Sequence, residues 1–154
     1  MAAPSALQFY AKNINALRLT DLASANLRLL LTTSVYVPST VVTGHSVLAD
    51  VTNELANGNG YTTGGALLTG TVPVSGTTGY ALTSGNASWT ASGTGIPAWR
   101  FAVLYYAGAL WGVTSPLLGY FTGDSTPADV PLVASGNTLS IAVPTIGWFT
   151  DLRT

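Results

Sequence analysis

Ala98-Trp99-Arg100-Phe101-Ala102-Val103-Leu104-Tyr105-Tyr106 is the stretch from which the rest of this chain can be read. At a period of two, Trp99, Phe101, Val103 and Tyr105 fall on one face, with Arg100, Ala102, Leu104 and Tyr106 on the other. Both faces are apolar enough for a strand covered on two sides.

Other segments carry the same period. In Asn26–Thr32, Leu27, Leu29 and Leu31 share a face, and Val35-Tyr36-Val37 precedes Pro38, which biases Val37 to an extended backbone. In Thr138–Val143, Leu139, Ile141 and Val143 alternate with Thr138, Ser140 and Ala142, the first set inward. Further short strands are expected at Ala66–Val74, Thr78–Thr83, Asn86–Ala91, Leu117–Thr122, Val130–Val133 and Trp148–Leu152. Gly70, Pro73 and Gly76 make the first of these a bent or edge strand. Asn57-Gly58-Asn59-Gly60 and Gly64-Gly65 are turn signals. Short strands at near-regular spacing, punctuated by Gly, Pro and Asn, predict a mainly β chain. The expected architecture is a single-domain antiparallel β-sandwich or jelly roll over residues 26–154.

Residues 1–25 read as a short N-terminal helix or arm. Ser5-Ala6-Leu7-Gln8 fits a capping box, and Leu7, Tyr10, Ile14 and Leu17 follow at helical spacing on one face. Such a stripe suits packing against a sheet, or docking on a partner. Asp21 to Ser24 reads as a turn. His45–Glu54 stays open between a loop and a short helical turn capped by Asp50.

Charge is scarce. Only 7% of the 154 residues are charged against 47% hydrophobic, and no Lys, Arg, Asp or Glu occurs between Leu55 and Trp99. A globular surface normally carries far more, so such a chain either enters a membrane or spends its life packed against something. Phe101–Gly123 also lacks charge and is long enough for a membrane helix. It contains Pro116 and glycines at 108, 112, 119 and 123, however, and its ends alternate at strand period. A soluble, packed protein is therefore expected, with no membrane partner. The opening Met1-Ala2-Ala3-Pro4-Ser5 does not read as a secretory signal. The net charge is −1 and the five basic residues are scattered, which leaves no electrostatic footprint for nucleic acid. With no cysteine there are neither disulfides nor thiolate metal sites.

Convergent polar groups are few. His45 is the single histidine; Asp50 is close enough in sequence to orient it, but Ser46 beside it is not in a nucleophile-elbow context, so a loop or cap role is expected. Asp50 and Glu54 would pair as acid and base, as in a glycosidase, only on a helix. Asp124 and Asp129 flank a loop, but calcium takes about six to eight oxygens, so turn and capping roles are expected. Gly58-Asn59-Gly60 lacks the Lys-Ser/Thr ending of a phosphate loop. No catalytic residue, cofactor or metal is expected. Trp89, Trp99 and Trp148 sit in strand patterns where packing is the ordinary explanation, whereas Trp111 lies in a Gly-rich turn and is expected at the surface. Arg100, alternating with aromatics, is expected to stack or to pair with a carboxylate.

Several elements taken together resemble a known group. The run Asn26-Leu27-Arg28-Leu29-Leu30-Leu31-Thr32-Thr33-Ser34-Val35-Tyr36-Val37-Pro38 leads to His45 and then to Asp50-Val51-Thr52-Asn53-Glu54. Gly58-Asn59-Gly60-Tyr61-Thr62-Thr63-Gly64-Gly65, Ala87-Ser88-Trp89-Thr90-Ala91-Ser92-Gly93, Arg100-Phe101-Ala102-Val103-Leu104-Tyr105 and Pro116-Leu117-Leu118-Gly119-Tyr120 follow in order. In residues and order, this pattern over Leu27–Val143 is similar to a family of small virion structural proteins of tailed bacteriophages. The first 25 residues and the Trp148-Phe149 ending depart from it, and attachment specificity is expected in those ends.

The resemblance implies a non-enzymatic protein localised to the virion and assembled in the host cytoplasm. The expected role is a capsid cement or decoration protein that binds between subunits of the major capsid protein. The alternative is a tail, neck or fibre component. A carbohydrate-binding module, which needs Trp111 or Tyr61 exposed on a ridge, is a second alternative. Lattice symmetry suggests a homo-oligomer, with a trimer at local three-fold positions. Leu7, Tyr10, Trp111, Trp148 and Phe149 are the candidate interface residues.

Overall fold

Leu27–Thr32 (β2) and Phe101–Tyr106 (β7) run antiparallel at the heart of a sheet, with Leu29 opposite Leu104, Leu30 opposite Val103 and Leu31 opposite Ala102. Leu117–Thr122 (β10) pairs with the other side of β7. Gln8–Phe9 (β1) and Ala66–Leu67 (β3) close the two edges of this five-stranded sheet. The computed structural model describes residues 4–14, 18–22, 26–76, 79–124, 126, 128–145 and 147–152.

The period of two splits the interior into two cores. Leu27, Leu29, Leu31, Ala102 and Leu104 face the larger one, and Leu30, Val103 and Tyr105 face a smaller one with Tyr10, Tyr36 and Leu117. The central strands are thus covered on both sides, as their two apolar faces predict. Across the larger core lie Ala87–Thr90 (β6) paired with Thr138–Ile141 (β11), and a three-stranded sheet of Val72–Gly76 (β4), Gly79–Thr83 (β5) and Phe149–Leu152 (β12). Leu82, Ala87, Trp89 and Phe149 complete that core from this side. The chain is mainly β and antiparallel, as expected.

The charge-free run from Phe101 to Gly123 forms β7, a small hairpin and β10, so its apolar residues serve the two cores. The hairpin joins Ala109–Leu110 (β8) to Val113–Thr114 (β9) through Trp111 (φ 52°) and Gly112 (φ 74°), the pair of positive φ angles that a tight two-residue turn needs. Among the described residues no helix is long and apolar enough to cross a membrane.

Four local expectations need correction. A short N-terminal helix is present, but it spans only Ala11–Ile14 (α1), and Ser5 does not cap it. Gln8 and Phe9 are extended, opposite Tyr120 and Gly119, while Ser5 N–H donates to the Thr122 carbonyl and Thr122 N–H to Ser5 Oγ. The free edge of β10 satisfies these amides. Leu7 and Tyr10 consequently enter opposite cores instead of sharing a helical face. Leu17 lies outside the described residues. Ala66–Val74 is two strands in different sheets, because a turn at Gly70 (φ 62°) carries the chain from one to the other. Val130–Val133 is not a strand; it makes two isolated bridges, Trp99 with Val130 and Ile96 with Val133.

Trp99 is the fourth. The bridge to Val130 and the Arg100 N–H bond to the Thr32 carbonyl break the alternation ahead of β7, so Trp99 joins Ala102 and Leu104 in the larger core. The open segment His45–Glu54 contains one 3-10 turn, Leu48–Asp50.

Candidate interaction surfaces

Glu54 holds a loop in place. Its Oε1 accepts from Tyr61 Oη at 2.7 Å and from the Gly64 N–H at 2.6 Å, and Tyr61 Oη accepts the Leu31 N–H at 3.0 Å. Tyr105 Oη donates to the Gly64 carbonyl at 2.8 Å, and Arg28 donates to that of Gly65 at 3.0 Å. A side chain on Gly65, which sits at φ 71°, would run into the Leu29 carbonyl oxygen. The Gly-Gly element thus lies directly on the backbone of β2. Burial, the largest cause, pushes the Tyr61 phenol well above its ordinary range, with the neighbouring Glu54 carboxylate adding to it.

His45 ends a chain of hydroxyls. Tyr10 and Tyr36 hydroxyls are 2.8 Å apart, and Tyr36 Oη lies 3.0 Å from His45 Nδ1. Both tyrosines are buried, which raises their hydroxyl pKa values. Asp50 accepts the N–H groups of Ser46 (2.7 Å) and Val47 (3.0 Å), and these bonds hold its carboxyl below the usual range. Asp50 and Glu54 therefore engage different partners and do not form a pair.

Asp124 Oδ1 accepts from Thr126 N–H and Oγ1 at 2.9 and 2.7 Å, the turn role expected of it. Asp129 meets Arg100 at 3.6 Å and Ser34 Oγ at 3.3 Å, so Arg100 does pair with a carboxylate. Among the described residues no three His, Asp or Glu side chains gather in a metal-binding group.

The five candidate interface residues lie deeper than the sequence suggests. Tyr10, Trp148 and Phe149 are buried within the chain. Phe149 stacks on Phe9 at 5.4 Å, and the Trp148 indole donates to Ser84 Oγ at 2.8 Å. Leu7 is half-buried against the larger core. Trp111 is also half-buried, its indole N–H donating to Asp21 Oδ2 at 2.9 Å. Tyr61, the other residue a sugar-binding ridge needs, is 2% exposed.

Two surfaces were not anticipated. The first is an apolar cavity of about 610 Å3 between the segment before β1, the end of β10 and β11. Trp99, Phe121, Val130 and Trp148, all buried, form its floor, and exposed Pro4, Ala6, Ser140, Ala142 and Pro144 form its rim. Among the described residues no charged side chain lines it, and the only side-chain hydroxyls are those of Ser5 and Ser140.

The second is the loop between β2 and the Leu48–Asp50 turn. Val35, Val37, Val41 and Val42 are 60–75% exposed, and no Lys, Arg, Asp or Glu occurs from Thr33 to Ala49. Buried Tyr36, a His45 N–H bond to the Ser39 carbonyl (3.1 Å) and a Gly44 N–H bond to the Val41 carbonyl (2.8 Å) fix the backbone. The valines are therefore held outward on a braced loop. Apolar residues among turn-forming neighbours such as Pro38 and Gly44 were the signal for this surface; the cavity is built by remote segments and left no local trace.

Compared with protein-family models, curated proteins and solved structures, the chain matches none.

Proposed function

We propose that this protein is a non-enzymatic structural component of a tailed-phage virion, acting as a cement protein that binds between subunits of the major capsid protein. One observation carries the reading: every exposed residue described between Leu55 and Trp99 is uncharged, on a chain whose central sheet is braced by two cores. An uncharged surface loses little hydration energy when it is covered, whereas each charge taken out of water must be paired. The polar side chains of the residue types that catalysis uses, His45, Asp50 and Glu54, each brace a loop. The likeness of the sequence to phage virion proteins supplies the particle. Contacts repeated over a symmetric shell then add through avidity, so each can be weak.

The test is the copy number of this chain in purified virions, by quantitative mass spectrometry against the major capsid protein. Near parity is the result expected of a cement. A few copies per particle assigns the protein to the tail or neck, and absence from particles overturns the virion reading. Particles lacking the protein should also release DNA at lower temperature.

A further inference from the structure

We propose that His45 is a proton-operated latch on the loop carrying Val37, Val41 and Val42, closed while its ring is neutral and released when the ring takes up a proton. Tyr36 and His45 flank that loop, so the 3.0 Å contact between Tyr36 Oη and His45 Nδ1 ties its two ends together. Behind it, Tyr10 Oη lies 2.8 Å from Tyr36 Oη. Among the described residues neither hydroxyl has a further hydrogen-bond partner. Tyr10 is 0% and Tyr36 1% exposed, which shuts both off from bulk water.

A count of hydrogens gives the latch its direction. Burial raises both phenol pKa values, so each hydroxyl keeps its hydrogen. The two contacts accommodate two hydrogens. Tyr10 therefore donates to Tyr36, Tyr36 donates to His45 Nδ1, and the neutral ring carries its own hydrogen on Nε2. A protonated ring has a hydrogen on each nitrogen, which brings three hydrogens to the two contacts. One of them then lacks an acceptor inside the smaller core, and that destabilises the closed arrangement. Only the ring can relieve it by moving, since His45 is half-buried and the tyrosines are enclosed.

The charged neighbours suit a ring that leaves. Asp50, at the end of the Leu48–Asp50 turn, is within electrostatic reach of His45, and Lys12 of α1 acts on the same carboxylate. Asp50 favours a cation on the ring, and Lys12, of like sign, opposes it. On the tyrosine side Tyr120 of β10 faces the pair, and burial keeps its hydroxyl neutral as well. The Ser46 and Val47 N–H bonds to Asp50, and the Asn13 Nδ2 bond to the Ser46 carbonyl at 2.6 Å, do not involve the imidazole. Release therefore loosens the loop and leaves the chain beyond His45 in place. The latch holds above the range in which imidazoles titrate, about pH 5 to 8, and opens as pH falls through it. The inference concerns the isolated chain and stands apart from the capsid reading.

The experiment uses full-length wild type and His45→Asn, whose Oδ1 supplies an acceptor near the place of Nδ1 but does not titrate. Because His45 is the single histidine, nitrogen-15 imidazole spectra report on it alone. At about pH 8 they are expected to show the hydrogen on Nε2, with Nδ1 as an acceptor. Hydrogen-exchange mass spectrometry, expressed as protection factors, then compares residues 36–45 at about pH 8 and about pH 5. Wild-type protection there is expected to fall about tenfold or more at the lower pH, with residues 27–32 and 101–106 unchanged. Protection in His45→Asn is expected to stay constant.

A hydrogen on Nδ1 at the higher pH overturns the proposal. So does wild-type loop protection that is equal at the two pH values, or that falls equally in His45→Asn. A fall that extends to residues 27–32 and 101–106 also overturns it, because it reports global unfolding. Should His45→Asn fail to fold, Tyr36→Phe takes its place. Lacking the contact, it is expected to show low loop protection at both pH values, and a fall with pH as large as that of wild type would refute the latch.

Discussion

The Tyr61 hydroxyl ties Glu54 to the central sheet, donating to the carboxylate at 2.7 Å while accepting the Leu31 N–H at 3.0 Å. One buried oxygen thus joins a surface loop to the backbone of β2. The Gly58–Gly65 element, which reads as turn punctuation in the sequence, works as a clamp across that strand.

Tyr61→Phe removes the acceptor for Leu31 and the donor to Glu54 while keeping the ring. A buried amide left without a partner costs about 1–3 kcal/mol. The unfolding free energy is expected to fall by that amount, read in urea titrations as a lower midpoint at unchanged slope, since the surface exposed on unfolding stays the same.

The Tyr10–Tyr36 hydroxyl pair supports a double-mutant cycle. Tyr36→Phe leaves the buried Tyr10 hydroxyl without its partner at 2.8 Å, a loss of about 1–3 kcal/mol. Adding Tyr10→Phe removes the orphan, so the double variant is expected to be more stable than Tyr36→Phe alone. Additive losses in urea titrations would refute this account of the pair.

Asp50→Asn tests the carboxylate bonded to two amides. The Asp50 pKa is lowered in the folded state by the Ser46 N–H first and the Val47 N–H second. The stabilisation is present above the unfolded value, about 3.9, and is lost as pH falls through the folded one. The wild type is expected to exceed the variant by at most about 1 kcal/mol near neutrality, because the group is solvent-screened. Thermal melts from pH 7 to pH 2 should show the gap steady at first and closing below about pH 4.

Gly65 and Gly136 separate steric overlap from backbone strain. Both have positive φ, 71° and 84°, but a Cβ on Gly136 meets nothing within 4 Å, whereas one on Gly65 strikes Leu29. Gly136→Ala is expected to cost about 1–2 kcal/mol, the left-handed penalty alone. Gly65→Ala is expected to cost about 4 kcal/mol or more, or to prevent folding, which chemical denaturation and soluble yield would show.

The central strands were legible because burial on two faces leaves both sets of alternating positions apolar, as Leu29 and Leu30 or Val103 and Leu104 show. The alternation of β11 was legible for the opposite reason, because only one of its faces is covered: Thr138 and Ser140 are exposed, Leu139 and Ile141 half-buried. The helical stripe through Leu7 and Tyr10 misled, because the spacing of two apolar residues does not reveal a waiting strand edge. The candidate interface was the least legible part. Trp148 and Phe149 near the chain end suggested an accessible surface, yet both are buried in the larger core.

The sequence by itself determined the mainly β class, the central strands, the tight turns and a surface poor in charge. Those properties follow from the two-residue period of an extended backbone, from glycine's access to positive φ and from composition, all of which act locally. Only the tertiary structure decided that Gln8 and Phe9 pair with Tyr120 and Gly119, that Trp99 crosses to the larger core, and that Pro4, Phe121, Ile141 and Trp148 share one cavity. Those outcomes depend on which unpaired amides and apolar faces meet across long stretches of chain, and no local period encodes that choice.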